Sequence, residues 1–142
     1  MTSNYYVEPT YRISYRFRRI LVPVDGSEPS LTALDLALDF AQRYGSKVTV
    51  LHVSTSKDEA EKVLEKARKR AERYTTPIQY KYRTYNPSEG SVAGEIIAEI
   101  LQGGYDAVFL GARGTTLSED IHIGSTALAV LANTPITIVV VR

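Results

Sequence analysis

At 142 residues the chain suits one domain, long enough to bury a core without staples, and its absence of cysteine excludes disulfides, thiol catalysis and cysteine metal sites. Its 44% apolar and 23% charged content is that of an ordinary soluble globular protein, and a formal net charge of +1 lacks the basic excess of a dedicated nucleic-acid binder. With no apolar run of the roughly 18 residues that a membrane span needs and no signal-peptide pattern, neither nucleic acid nor a membrane is expected as a partner, and the expected location is the cytoplasm.

Residues 1–17 stand apart from the rest and hold four of the ten tyrosines. Tyr11, Ile13, Tyr15 and Phe17 alternate with polar residues, the period of a strand or extended arm. Three readings stay open: a loosely docked terminus, an arm crossing onto a partner subunit, or an RNA contact through aromatic and arginine side chains. Residues 1–18 are accordingly treated as an N-terminal extension and 19–142 as the domain.

Arg19–Val24 is a short β-branched run, read as a buried strand, and ends at the turn Asp25-Gly26-Ser27. Ser27 or Ser30 is a candidate cap for the following helix, in which Leu31, Leu34, Leu38 and Ala41 share a face and Gly45 is the stop. Lys47–Val53 is a second strand. Ser56-Lys-Asp-Glu59 is a capping box, followed by a helix with Ala60, Val63, Leu64, Ala67, Ala71 and Tyr74 on one face. Its late basic residues complement the helix dipole and read as a solvated face before a binding patch. Ile78–Arg83 alternates as a strand with one wetter face. Ala93, Ile96, Ile97, Ile100 and Leu101 mark a third helix, stopped by Gly103-Gly104.

The strand Asp106–Leu110 then leads into the stretch that carries most information. It runs Gly111-Ala-Arg-Gly114, nine residues, Gly124-Ser125-Thr126, and a helix to Asn133. Glycine lets a backbone approach an anion without a Cβ in the way, and a helix start favours phosphate through its dipole and free N–H groups. The plain alternative is that Gly111 ends a strand, Gly114 makes a turn and Gly124 opens a helix. Neither G-x-x-x-x-G-K-[ST] nor a strand-linked G-x-G-x-x-G occurs, so P-loop and Rossmann readings lose their support. Pro135 introduces the last strand, Ile136–Val141.

Alternating strands and helices predict an α/β domain, a five-stranded, mainly parallel open sheet with helices on both faces. Ligands in such sheets sit beyond the strand carboxyl ends, where strand order reverses. If the first and fourth strands are central neighbours, Asp25 and Gly111 face each other across that crevice.

With Asp25 added to the glycine stretch, the chain resembles the universal stress protein family, over about residues 19–142. Ile20-Leu-Val-Pro-Val-Asp25-Gly-Ser27 matches the family's first strand and turn, His52-Val53 the end of its second strand, and Pro135–Val140 its last. Gly111-Ala-Arg-Gly114, the spacer and Gly124-Ser125 match its nucleotide motif without a gap. The resemblance implies an adenine-nucleotide alpha-hydrolase-like fold with strand order 3-2-1-4-5, ATP in the crevice and a homodimer through the C-terminal strand. Carried over, Pro23, Val24 and Asp25 border the adenosine, and Val53 offers backbone groups to adenine. Leu110, Gly111, Arg113 and Gly114 line ribose and phosphates, while Gly124, Ser125 and Thr126 hold the phosphate tail, with any Mg2+ held through the phosphates. A branch without these glycines does not bind ATP; this chain resembles the binding branch. Thr126 departs from the family, standing where an apolar residue is commoner.

The function this implies is an ATP-binding regulatory protein of the stress response, a homodimeric sensor or adaptor acting on a protein partner that the sequence does not name. Two alternatives stand beside it: a slow ATPase or autophosphorylating enzyme, and a structural dimer with an empty site. For the enzyme reading the chemistry is thin. His122 reads as a surface or packing residue, His52 as core or rim, and Ser118, Glu119 and Asp120 as loop residues within reach of phosphate or magnesium.

Overall fold

Polar punctuation between the apolar runs sets the ends of nine elements in a computed structural model, which describes residues 15–113 and 123–142. They are β1 (Arg19–Pro23), α1 (Glu28–Tyr44), β2 (Lys47–Ser54), α2 (Lys57–Ala71), β3 (Ile78–Thr84), α3 (Val92–Gly103), β4 (Ala107–Gly111), α4 (Ser125–Asn133) and β5 (Thr137–Val141). The expectations for the tail before Tyr15, and those for Gly114, Ser118, Glu119, Asp120 and His122, lie outside the described residues. Ser27, Ser56 and Ser91 cap α1, α2 and α3 through their side chains. Gly45 and Gly104 close α1 and α3 in the left-handed region, at φ 74° and 69°.

All strand pairs are parallel and the order is β3-β2-β1-β4-β5, the order expected. The central strands are buried on both faces, which is why they read as continuous apolar runs. Alternate residues feed two layers. Ile20, Val22, Val48 and Val50 pack with Leu34 and Leu38 of α1 and Leu64 of α2. Leu21, Leu51, Val108 and Leu110 pack with Ile96 and Ile100 of α3 and Val130 of α4.

The described end of the extension is not a strand. Tyr15 and Arg16 are helical, and the chain turns at Phe17 before β1. The cause is Phe17, whose ring lies 5.2 Å from Phe40 and 6.2 Å from Phe109, centroid to centroid. Phe17 packs on the α1-side core, so the packed unit begins before Arg19.

Three basic residues of α2 are tied down. Arg70 bridges Glu28 and Asp35 of α1, Arg68 lies over the Tyr80 ring, and Lys66 donates to the Gly26 carbonyl at 2.8 Å. The last contact braces the turn after β1 from the α2 side.

Candidate functional site

β1 and β4 pair only at Ile20↔Ala107 and Leu21↔Val108, and then part. The crevice expected at this reversal of strand order is a cavity of about 620 Å³. Pro23, Val24, Asp25, Val53, Leu110, Gly111, Arg113, Gly124, Ser125 and Thr126 all line it. Of the residues expected to hold the nucleotide, Gly114 alone is missing, because it lies outside the described residues. One wall is apolar, from Val92 and Ile96 of α3 and from Ile123, Ala127 and Leu128 at the start of α4. From the sequence Ile96 lay on a helix face and Ala127 and Leu128 in the last helix, none of them assigned to a site, and Val92 and Ile123 were not singled out. The signal present in α3 was the i, i+4 spacing of Val92 and Ile96, which carries its apolar face to the helix start.

Asp25 sits at the rim in a self-supported turn. Its Oδ1 accepts from the Ser27 N–H at 2.9 Å and the Ser27 hydroxyl at 2.5 Å. The Asp25 N–H points to the Ser30 hydroxyl at 3.3 Å, which itself donates to the Ser27 carbonyl at 2.9 Å. One carboxylate oxygen therefore shapes the turn, and no described residue bonds the other.

Gly111 has a packing reason to be glycine beside the one expected. A Cβ there would meet the backbone of Pro29 at 2.7 Å and of Ser30 at 2.9 Å. The first turn of α1 takes the space that a Cβ would need. The glycine lets β4 and the start of α1 close on one another at the cavity floor.

The helix starts divide into two kinds. In α1, α2 and α3 a serine side chain accepts from an N–H of the first turn, at Ser30, Glu59 and Gly94. In α4 the cap is Gly124 and no side chain takes that role. The first intrahelical bond runs from Leu128 N–H to Gly124 O, so among the described residues nothing accepts from the N–H groups of Ser125, Thr126 and Ala127. This is the helix start that lines the cavity. The loop before it is closed at its base: Ala112 donates to Val141 O at 2.7 Å, and Gly124 donates to Ala112 O at 2.5 Å.

The floor at β2 is likewise open. Pairing with β1 ends at Pro23↔Leu51, with Val24 N–H still donating to Leu51 O at 2.8 Å. In a parallel ladder alternate residues turn their backbone groups to the same neighbour, so those of Val53 face the side that β1 has left. His52, buried among the lining residues, donates from Nδ1 to the Val24 carbonyl at 2.6 Å.

A match to the model of the universal stress protein family spans residues 16–142. The chain belongs to the universal stress protein family. Universal stress protein MJ0531 of Methanocaldococcus jannaschii is 26% identical, the similarity covering 89% of this chain and 82% of that one. Universal stress protein UspA from Lactobacillus plantarum has a similar structure, with a TM-score of 0.71 at 24% identity over 89% of this chain and 99% of that one. The universal stress protein from Archaeoglobus fulgidus in complex with dAMP gives a TM-score of 0.71 at 19% identity, over 89% and 98% of the two chains. These structural likenesses establish the fold. The family match begins at residue 16, next to Phe17, the first residue seen packing on the core. Among the described residues no helix is long and apolar enough to cross a membrane, and no group of three acidic or histidine side chains is placed to hold a metal.

Proposed function

We propose that this universal stress protein binds ATP in the cavity between β1 and β4 and acts as a nucleotide-dependent regulatory protein. The observation that carries the reading is the start of α4, which opens on that cavity: it is the one described helix start with no side-chain cap, and its first-turn donors find no acceptor among the described residues. A phosphate tail supplies acceptors and charge to such donors. Val92, Ile96 and Leu110 offer apolar walls to a base, Val53 offers unpaired backbone groups, and Asp25 retains an oxygen for a ribose or base donor. A dAMP complex of a relative with the same fold supports an adenine nucleotide as the class of ligand. Magnesium would be held through the phosphates, since the described part of the cavity offers no cluster of carboxylates.

The reading is one of binding with slow hydrolysis at most. Fast phosphoryl transfer needs a residue that aligns the nucleophile. Of the titratable groups described at the cavity, Asp25 shapes its own turn and His52 is spent on the Val24 carbonyl. The protein is further proposed to act as a homodimer through the free edge of β5, with occupancy altering the surface shown to a protein partner, and to work in the cytoplasm. Chromatography of the small molecules released by denaturing freshly purified protein tests the binding claim. An adenine nucleotide near one per chain is the expected result. Empty protein that also fails to take up added ATP would refute it.

A further inference from the structure

His52 is buried on the face of β2 that carries Val48 and Val50, yet packing alone does not call for a histidine there. Its Nε2 is buried with no hydrogen-bond partner. A leucine would fill similar space without leaving a polar atom orphaned, and buried polar groups without partners are costly. The other nitrogen explains the choice. Its contact at 2.6 Å is to a carbonyl, so Nδ1 carries the proton and donates.

The acceptor matters as much as the donor. Were the β1–β2 ladder to continue past Pro23↔Leu51, the next bond would run from Val53 N–H to Val24 C=O. That bond is not made, and His52 supplies the donor in its place. We infer that His52 is a positioning residue that takes the Val24 carbonyl away from Val53, keeping the Val53 N–H unpaired and turned to the cavity as a donor for an acceptor on the ligand. Lys66 of α2 holds the next carbonyl but one, that of Gly26, so His52 and Lys66 hold the carbonyls on either side of Asp25. The inference rests on the nucleotide reading for the identity of the ligand, and on the backbone geometry alone for the open donor.

The test separates the two. Amide hydrogen exchange is measured on the full chain without ligand, followed by AMP affinity. In the wild type the Val53 amide should exchange at least tenfold faster than that of Leu51, which the ladder bonds. It should slow to the Leu51 rate in His52→Leu, where the ladder is free to close. AMP binding should fall about tenfold in His52→Leu, the loss expected for one hydrogen bond. Binding should return in His52→Asn, whose amide nitrogen occupies the place of Nδ1, and stay weak in His52→Gln, whose nitrogen occupies that of Nε2. A merely structural histidine would not order the variants in this way, since both amides are equally polar. Should the leucine variant not fold, wild-type exchange at Val53 and the 15N signature of the Nδ1–H tautomer decide. A Val53 amide as protected as Leu51, an Nε2–H tautomer, or unchanged AMP affinity in His52→Leu overturns the inference. A wild type with an open Val53 amide but no affinity for AMP refutes the nucleotide reading and with it the use assigned to that donor.

Discussion

Glu99 holds an edge strand to the sheet from inside the molecule. Only 1% exposed, it accepts from Lys81 at 2.9 Å, Arg83 at 3.0 Å and the Tyr105 hydroxyl at 2.7 Å. Burial pushes its carboxyl up, but the hydrogen bonds from Tyr105, Lys81 and Arg83 outweigh it and hold the group below its ordinary value. A carboxylate lowered in the fold stabilises above its unfolded pKa of about 4.3, and that stability is lost as pH falls through the folded value. Tyr105 is shifted the other way, to about 12, first by burial and then by Glu99. Its neutral form is favoured by the fold, so stability should decline as pH climbs from about 10 towards 12. Glu99→Ala, which leaves two cations facing a buried gap, should cost roughly 3 kcal/mol. Thermal melts of both proteins across pH 3–7 check this: the difference should shrink toward the acid end, and a constant difference would contradict the assignment. Asp25 is the second residue whose role can be split. Asp25→Asn keeps an acceptor for Ser27, whereas Asp25→Ala loses the turn as well. Titration with adenosine should show Asp25→Ala the weaker of the two, and equal loss in both would assign the effect to charge alone.

At the scale of elements, the contrast between α4 and the other helices gives a prediction with opposite signs for stability and binding. Gly124→Ser would supply the cap that Ser27, Ser56 and Ser91 supply elsewhere. It should raise stability by a few tenths of a kcal/mol and weaken ATP by occupying a donor of the first turn. A melt and an ATP titration on the same preparation would show both, and unchanged affinity would contradict the anion role of α4. The extension divides at Phe17. Removing residues 1–14 should leave the melting curve nearly intact, because the contacts of Phe17 with Phe40 and Phe109 remain. Removing 1–18 should cost about 3 kcal/mol, the toll of deleting a packed phenylalanine. The aromatic alternation before Phe17 pointed to a strand because period two is a local signal, while the turn at Phe17 answers to rings over twenty residues away. The same division runs through the site. The positions of Asp25 and Gly111 at the crevice were legible because each lies at the end of an apolar run whose place the sheet fixes, while Val53 was read through the family resemblance. The Glu99 cluster and the His52–Val24 bond were not, since they join elements by side chains whose meeting depends on register. Glu99 left one trace: a carboxylate one residue from Ile100, on the buried face of α3.

At the scale of the molecule, β5 is an edge strand with a ladder on one side only. Val139 and Val141 pack on the α1-side core and Ile138 on the other, so its side chains are committed and its outer backbone is not. Val141 O faces β4, which by alternation turns the Val140 N–H to the free edge. Leu128 and Leu131, 52% and 46% exposed, leave apolar surface uncovered on α4. For the proposed dimer, Val140→Pro should remove an edge donor without touching the β4 ladder. Sedimentation should then find a folded monomer where the wild type is a dimer; a monomeric wild type would contradict the proposal. The central claim is that the β1–β4 cavity is a nucleotide site. A thermal melt with and without ATP and magnesium tests it most directly, using Gly124→Val, whose side chain stands at the start of α4, as the comparison. At a hundredfold excess over its dissociation constant, ATP should stabilise the wild type by about 2.7 kcal/mol and leave Gly124→Val unmoved. A wild-type melt indifferent to millimolar ATP with magnesium would contradict the account.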